Sequence, residues 1–346
     1  MISKLETVLS NFTEEDWRKA VEELLPAIHE VDRNAVQIWF RFYPLELREY
    51  LADAEDQPAA IKELELQGDF DLATHIAGSH HFLYGHRYWK AVKCSVEKEA
   101  EEFNADDAKL TEIIKEVAIR VAEKKGIDRT LVNAIAAVGL ATMRQVGLET
   151  FTAASDEIEE PKGLMARSPD AIVAERSKDD SQGMFGFLKT VDKKYSVRVL
   201  ARDYEGKFSV LYDQEITHAA AQDKSQAWQE KDPRCWNGPV PVECIAATCG
   251  LCWVGVIGGQ EKLSEVAPRE RRAMKVFGYD QPEDEKPFLR LACQVRAYGN
   301  ATLVVPPWNG TFGKKVRGDV EEVELEPNTT SAKRLREIVK EALSGE

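Results

Sequence analysis

The sequence predicts an α+β protein with an all-helical N-terminal part, a strand-rich C-terminal part and a final helix. In residues 1–155 the apolar side chains recur at helical spacing, with capping residues at several expected helix ends. Beyond about residue 190 the spacing changes to alternation, as in half-buried strands. The length of 346 residues favours two domains.

Residues 1–155 form the predicted helical domain. Thr13 is expected as an N-cap, and Gly126 is expected to end one helix shortly before Asp128 begins the next. Residues 132–143 are apolar on most sides, which predicts a central position in the domain. The other predicted helices are 34–43, 58–67, 105–125 and 129–151.

A linker is predicted at residues 156–190, which mix glycine, proline, serine and charged residues. Residues 195–199 and 208–212 then alternate on either side of the turn sequence D-Y-E-G, which indicates a hairpin. A short helix is expected from Ile216, and a buried strand at residues 253–257.

The C-terminal part is divided into two predicted regions. The strand-rich domain covers residues 191–310 and ends with a strand at 301–305, which Pro306 stops. Residues 311–346 form an extension with a capped amphipathic helix at 331–343.

The charge is distributed unevenly. The net charge is -14, and residues 1–160 alone hold 18 basic and 32 acidic side chains. Nucleic acid is therefore excluded as an expected partner, because phosphate groups need a basic face. A partner with a basic surface is compatible with this acidity, and so is a merely solvated acidic surface.

Cellular context affects how the cysteines are interpreted. No apolar stretch is long enough to predict a membrane span, and the first residues lack the apolar core of a signal peptide. We therefore expect a cytoplasmic protein. In that compartment clustered cysteines indicate metal binding or catalysis before disulfides.

Three cysteines are clustered with the spacing C-x4-C-x2-C, at Cys244, Cys249 and Cys252, and Cys293 follows 41 residues later. A [2Fe–2S] cluster needs four thiolates, two on each iron, and this spacing with a distant fourth cysteine is one known arrangement. Small residues in the loop would let backbone N–H groups approach the sulfur atoms. Zinc is the alternative, although a four-cysteine zinc site normally has two C-x-x-C pairs.

From Lys194 to Pro307 the chain resembles plant-type [2Fe–2S] ferredoxins, adrenodoxin-like in the broad sense. The hairpin, the alanine-rich helix, the cysteine loop and the L-A-C-Q sequence before a last strand occur in that family's order. The resemblance covers about a third of the chain, and segments 225–242 and 266–288 are longer than usual. It implies a β-grasp fold and a [2Fe–2S] cluster bound by Cys244, Cys249, Cys252 and Cys293.

The expected function is one-electron transfer to or from a redox protein partner, with no catalysis by the chain itself. The helical domain would then serve docking or assembly. Two alternatives stay open: a regulatory protein that senses redox state through the cluster, and an electron-feeding subunit of an oxidoreductase with a second site in the helical domain.

Histidines are the only hint of such a second site, because four of the six lie between His75 and His86. On a continuous helix no two of them would reach one ion, so a structural or surface role is expected unless Gly78 and Gly85 break the helix. Cys94 and Cys235 are expected to be free structural thiols.

Overall fold

The computed structural model describes residues 3–178, 193–279 and 287–318, together with residues 339 and 342. The predicted helix at 331–343 otherwise lies outside the described residues. The chain forms two compact units. The helical unit contains residues 1–49 and 70–175, and the sheet unit contains residues 50–69 and 176–346. The predicted α+β class, with helices first and a sheet toward the C-terminus, is confirmed.

The structure defines the following elements in the described residues. The helices are α1 (Lys4–Ser10), α2 (Glu14–Leu24), α3 (Glu30–Phe42), α4 (Leu45–Asp53), α5 (Gln57–Glu63), α6 (Trp89–Glu102), α7 (Leu110–Lys125), α8 (Asn133–Val146), α9 (Leu148–Ala153), α10 (Pro169–Arg176), α11 (Ile216–Ala221), α12 (Trp228–Lys231), α13 (Pro268–Phe277) and α14 (Gly313–Arg317). The strands are β1 (Gln67–Gly68), β2 (Lys194–Leu200), β3 (Glu205–Leu211), β4 (Gln214–Glu215), β5 (Trp253–Gly258), β6 (Leu289–Leu291), β7 (Arg296–Ala297), β8 (Ala301–Val304) and β9 (Trp308–Asn309).

Helix α8 is the centre of the helical unit, as its apolar sequence predicts. Its residues 133–143 are all buried, and it contacts α3, α6, α7 and α9. At Gly139 a Cβ atom would lie 3.0 Å from Val92 Cγ1, so glycine allows α6 to approach α8 closely.

The predicted helix ends are largely confirmed by cap geometry. Thr13 and Asp16 form a reciprocal capping box at the start of α2. Gly126 ends α7 in the left-handed conformation, with φ of 63°. The continuous helix predicted at 129–151 is wrong, because Gly147, with φ of 83°, separates α8 from α9.

The sheet unit is built on five strands in the order β3-β2-β8-β5-β6. β2 and β3 form the predicted hairpin, and β8 lies parallel to β2 and antiparallel to β5. β5 is buried along its whole length, as predicted, and α11 contacts β3. The last long strand of the unit therefore lies at the centre of the sheet.

A segment from within the predicted helical domain belongs to the sheet unit. Residues 50–69 supply β1, which pairs with β9 so that Gly68 lies opposite Trp308. A Cβ atom at Gly68 would come within 2.4 Å of the Pro307 carbonyl oxygen, so the pairing requires glycine there.

Part of the predicted linker is ordered secondary structure in the helical unit. In α10, Ile172 is fully buried and packs in one cluster with Val31 and Tyr84. Residues 179–190 of that range lie outside the described part. None of the helices in the described part has both the length and the apolar character needed to cross a bilayer.

Candidate metal centre

The three clustered cysteines lie in the loop before β5, and the backbone of this loop turns sharply twice. Ala247 and Gly250 have positive φ angles of 57° and 66°. A Cβ atom at Gly250 would lie 3.1 Å from the Gly310 carbonyl oxygen, so this position is also tight. Left-handed residues of this kind direct neighbouring backbone N–H groups toward a common centre, which suits negative ligands.

Cys293 is brought to this loop by strand pairing. β6 pairs with β5 so that Leu291 lies opposite Trp253, the residue after Cys252. The amide of Ala292 then donates to the carbonyl oxygen of Cys252 at 2.8 Å. The third and fourth cysteines therefore lie side by side although 41 residues separate them in the sequence.

The four thiols are arranged as two neighbouring pairs. Cys244 and Cys249 are within hydrogen-bonding reach of each other, and so are Cys252 and Cys293. Cys249 also lies close enough to Cys252 for charge on one sulfur to act on the other. Cys249 is partly exposed, whereas the other three are buried.

Hydrogen-bond donors surround the first pair. The hydrogen bond from Cys249 lowers the pKa of Cys244, and bonds from the Thr248 side chain and from the amides of Thr248 and Ala246 add to this effect. The Thr248 hydroxyl oxygen lies 3.5 Å from the Cys244 Sγ atom. The bond to Cys244 raises the pKa of Cys249. Donors to sulfur stabilise a thiolate, and they are typical around iron–sulfur clusters.

Gln294 connects the fourth cysteine to the loop. Its Nε2 atom lies 3.4 Å from the Cys293 Sγ atom and donates to the carbonyl oxygen of Ile245 at 3.0 Å. Ile245 follows Cys244, so one amide side chain spans the first and fourth predicted ligands.

The segment between the third and fourth cysteines supplies a buried tyrosine behind the site. The Tyr279 hydroxyl donates to the carbonyl oxygen of Gly250 at 2.8 Å, and its ring stacks on Trp253 with centroids 4.0 Å apart. Burial raises the pKa of Tyr279 well above its usual value, with smaller contributions from Cys252 and Cys249. The hydroxyl therefore keeps its proton and fixes the loop as a donor.

The same segment supplies a buried ion pair, Glu270 with Arg290. Glu270 also accepts from the amide of Leu291 at 2.9 Å, two residues before Cys293. The sequence gives no local sign that these three residues support the site, because Glu270 lies in a polar helix while Tyr279, beyond the end of α13, and Arg290, in β6, stand in no pattern that predicts their partners.

A binuclear cluster would need two thiolates on each iron. Cys244 with Cys249 in the loop, and Cys252 with Cys293 from the end of β6, form two neighbouring pairs that could supply them, and N–H donors surround the first pair. Within the described ranges, no three or more His, Cys, Asp or Glu side chains are gathered to hold a metal ion. No protein-family model, curated protein or solved structure matches the chain. Any function assigned to the site must therefore be argued from the positions of its own residues.

Two of the histidines in the helical unit form a buried pair. The assumption of a continuous helix is wrong, because turns lead into a short 3-10 helix at Tyr84–Tyr88. The Nδ1 atoms of His80 and His86 lie 2.8 Å apart, and the His80 ring packs on Trp89. In the sequence, Gly85 was the available sign of this break in the helix. A Cβ atom built at Gly85 would lie 2.8 Å from Ile135 Cγ2.

The remaining cysteines lie outside the thiol pairs. Cys235 is buried, and its Sγ atom is 3.1 Å from the Tyr204 hydroxyl. Burial, followed by the charge of Asp232, raises the pKa of Cys235 to about 12, so it stays a neutral thiol. Cys94 is exposed on α6 of the helical unit.

Proposed function

We propose that the chain is a one-electron transfer protein that carries a [2Fe–2S] cluster on Cys244, Cys249, Cys252 and Cys293. The observation behind this proposal is the arrangement of these thiols as two adjacent pairs, one of them linking the loop to the end of β6. When bound, such a cluster supplies reversible transfer of a single electron.

The protein's own groups have three tasks around this centre. The loop amides and Thr248 donate toward sulfur and favour the thiolate form. Tyr279 holds the loop through Gly250, and its ring stacks on Trp253, which in turn packs against Trp308, with both tryptophans buried. Burial of three cysteines restricts solvent access, which together with the donors determines the reduction potential.

The strand arrangement supports assignment to the β-grasp fold of plant-type ferredoxins. A hairpin covered by a short helix, a cysteine loop that enters a buried strand, and a last strand beside the first are all present. These elements follow in the order in which the resemblance places them.

The test is an anaerobic purification of the full chain, followed by analysis of iron, acid-labile sulfide and zinc. We expect two irons and two sulfides per chain, visible absorption that bleaches with dithionite, and a rhombic EPR signal only after reduction. A colourless protein with one zinc per chain would contradict the proposal and favour a structural zinc site.

A further inference from the structure

Residues 64–69 come from the predicted helical domain but lie against residues 307–311, near the end of the sheet unit. Glu65, with a φ of 49°, turns the chain at the end of α5, and the next residues form β1. We call residues 64–69 the clamp segment. In the described residues β9 pairs with no strand other than β1, so the clamp segment supplies the strand hydrogen bonds of residues 307–311.

Further backbone hydrogen bonds join the two segments at both ends. The amide of Asp69 donates to the carbonyl oxygen of Pro307 at 2.9 Å, and the amide of Thr311 donates to that of Leu64 at 3.1 Å. The contacts therefore run along the whole of both segments. A strand pair as short as β1–β9 is marginal alone, so these flanking bonds are part of what holds it.

Residues 307–311 also contact the cysteine loop. The Tyr279 hydroxyl, which donates to the Gly250 carbonyl oxygen at 2.8 Å, lies 3.3 Å from the Gly310 carbonyl oxygen as well. A Cβ atom at Gly250 would lie 3.1 Å from Thr311 Cγ2, so the loop has no room for a side chain there. Gly250 directly follows Cys249, a predicted ligand.

A second route to the loop passes through two tryptophans. Trp308 lies opposite Gly68 in the β1–β9 pair and packs on Trp253, with ring centroids 5.3 Å apart and both side chains buried. Trp253 directly follows Cys252, another predicted ligand. Because a packed interior has few voids, a shift of β1 reaches the loop through these rings.

We propose that the clamp segment positions the cysteine loop for cluster binding, although it lies outside the region that resembles a ferredoxin. This inference rests on the proposed function. The clamp segment binds no iron and acts through residues 307–311, Tyr279 and Trp253. A displaced clamp segment leaves all four cysteines in the chain but loosens the backbone that directs three of them.

The test compares two glycine replacements that differ mainly in location. Gly68→Ala places a Cβ atom 2.4 Å from the Pro307 carbonyl oxygen at a φ of 89°, and Gly259→Ala places one 2.3 Å from the Asn300 carbonyl oxygen at a φ of 79°. Both positions belong to the sheet unit, but Gly259 lies at the far end of β5 from the cysteine loop. Urea unfolding of the full chain checks that the two variants lose comparable stability.

Gly310→Ala is a milder variant that decides the matter if either glycine variant fails to fold. A Cβ atom there would lie 3.0 Å from Leu66 Cδ1 and 3.4 Å from the Leu64 carbonyl oxygen, so it pushes on the clamp segment. Adding Leu66→Ala removes the nearest of these atoms and should restore part of the wild-type behaviour. A general loss of stability predicts no such rescue.

Two rates are measured on the full chain: amide hydrogen exchange of residues 244–252 in iron-free protein, and bleaching of the visible absorption by a chelator in loaded protein. We expect both to be about tenfold faster in Gly68→Ala than in Gly259→Ala. Gly310→Ala should move both rates in the same direction, and Leu66→Ala should bring them back toward wild type.

The outcomes separate this inference from the proposed function. Equal exchange and equal bleaching in Gly68→Ala and Gly259→Ala would overturn the inference and leave the proposed function standing. Faster exchange with unchanged bleaching would also overturn it, because order in the loop would then be irrelevant to the cluster. A wild-type protein without iron–sulfur absorption would overturn the proposed function, and the role of the clamp segment in cluster binding with it.

Discussion

The Glu270 carboxylate holds the Arg290 guanidinium through two hydrogen bonds of 2.9 Å, and the side chains are 0% and 1% exposed. Arg290 also donates to the Ser264 carbonyl oxygen at 2.7 Å, and Glu270 accepts from the Leu291 amide. The pair thus joins α13 to β6, the strand that carries the chain to Cys293.

Removing one member of this pair should be far worse than removing both. Glu270→Leu leaves a buried unpaired cation, which we expect to lower the free energy of unfolding by about 3–5 kcal/mol. The double variant Glu270→Leu with Arg290→Met should recover much of this loss. Urea unfolding monitored by circular dichroism measures both values.

A conservative change separates stability from placement of the fourth ligand. Glu270→Gln keeps an acceptor for the Leu291 amide, so it should retain more iron per folded chain than Glu270→Leu. The control is Arg198→Met, which removes a partly exposed ion pair with Glu205 at 3.7 Å and should change little. Equal iron content in Glu270→Leu and wild type would refute a role in placing Cys293.

Tyr279→Phe should loosen the cysteine loop while preserving the stacking on Trp253. The lost hydrogen bond to Gly250 is expected to cost about 1 kcal/mol of unfolding free energy and to accelerate loss of the visible absorption in air. Tyr204→Phe is the matched control, since the Tyr204 hydroxyl donates to the Pro239 carbonyl oxygen at 2.9 Å, away from the thiol pairs. Equal bleaching rates in the two variants would show that Tyr279 acts only on stability.

Serine replacements should divide the cysteines into two classes. Cys293→Ser removes one thiolate from the second pair, so we expect loss of most iron and of the visible absorption. Cys235→Ser and Cys94→Ser should keep both, because neither thiol belongs to a pair at the loop. Iron content and absorption per chain decide the matter, and a Cys235→Ser protein without iron would contradict the assigned ligand set.

Features that depend on local sequence could be predicted. The capping box at Thr13, the left-handed Gly126 and the β2–β3 hairpin follow from residues a few positions apart, because the interactions that stabilise them are themselves local. The predicted cysteine ligands are local in the same sense for their first three members, since the residues from Cys244 to Cys252 lie within one loop.

Features that depend on distant pairing could not be predicted. Gly68 pairs with Trp308, which lies 240 positions later in the sequence. The residues around Gly68 contain no pattern that indicates Trp308 as the pairing partner. His80 and His86 meet only because the chain leaves helical geometry between them. Glu270 has the sequence surroundings of a solvated helix, and only its contact with Arg290 places it in the interior.

The His80–His86 pair makes the helical unit sensitive to acid. Burial, followed by the charges of His81 and Arg87, lowers the pKa of His86 from 6.5 to about 4. Burial also lowers the pKa of His80, with smaller contributions from His86 and His81. Asp32, the nearby buried carboxylate, accepts from the amides of residues 84 and 85 and is directed at the backbone.

Because the folded pKa of His86 lies below the unfolded one, the unfolded chain binds more protons between these values. Stability is therefore complete above pH 6.5 and falls as the pH drops toward 4, by roughly 3 kcal/mol for His86 alone. Thermal unfolding of the full chain across this range should show a shallower decline in His86→Gln than in wild type. His218→Gln, at an exposed histidine of α11, is the control and should keep the wild-type slope. Parallel pH profiles for His86→Gln and wild type would show that His86 is not the group that titrates.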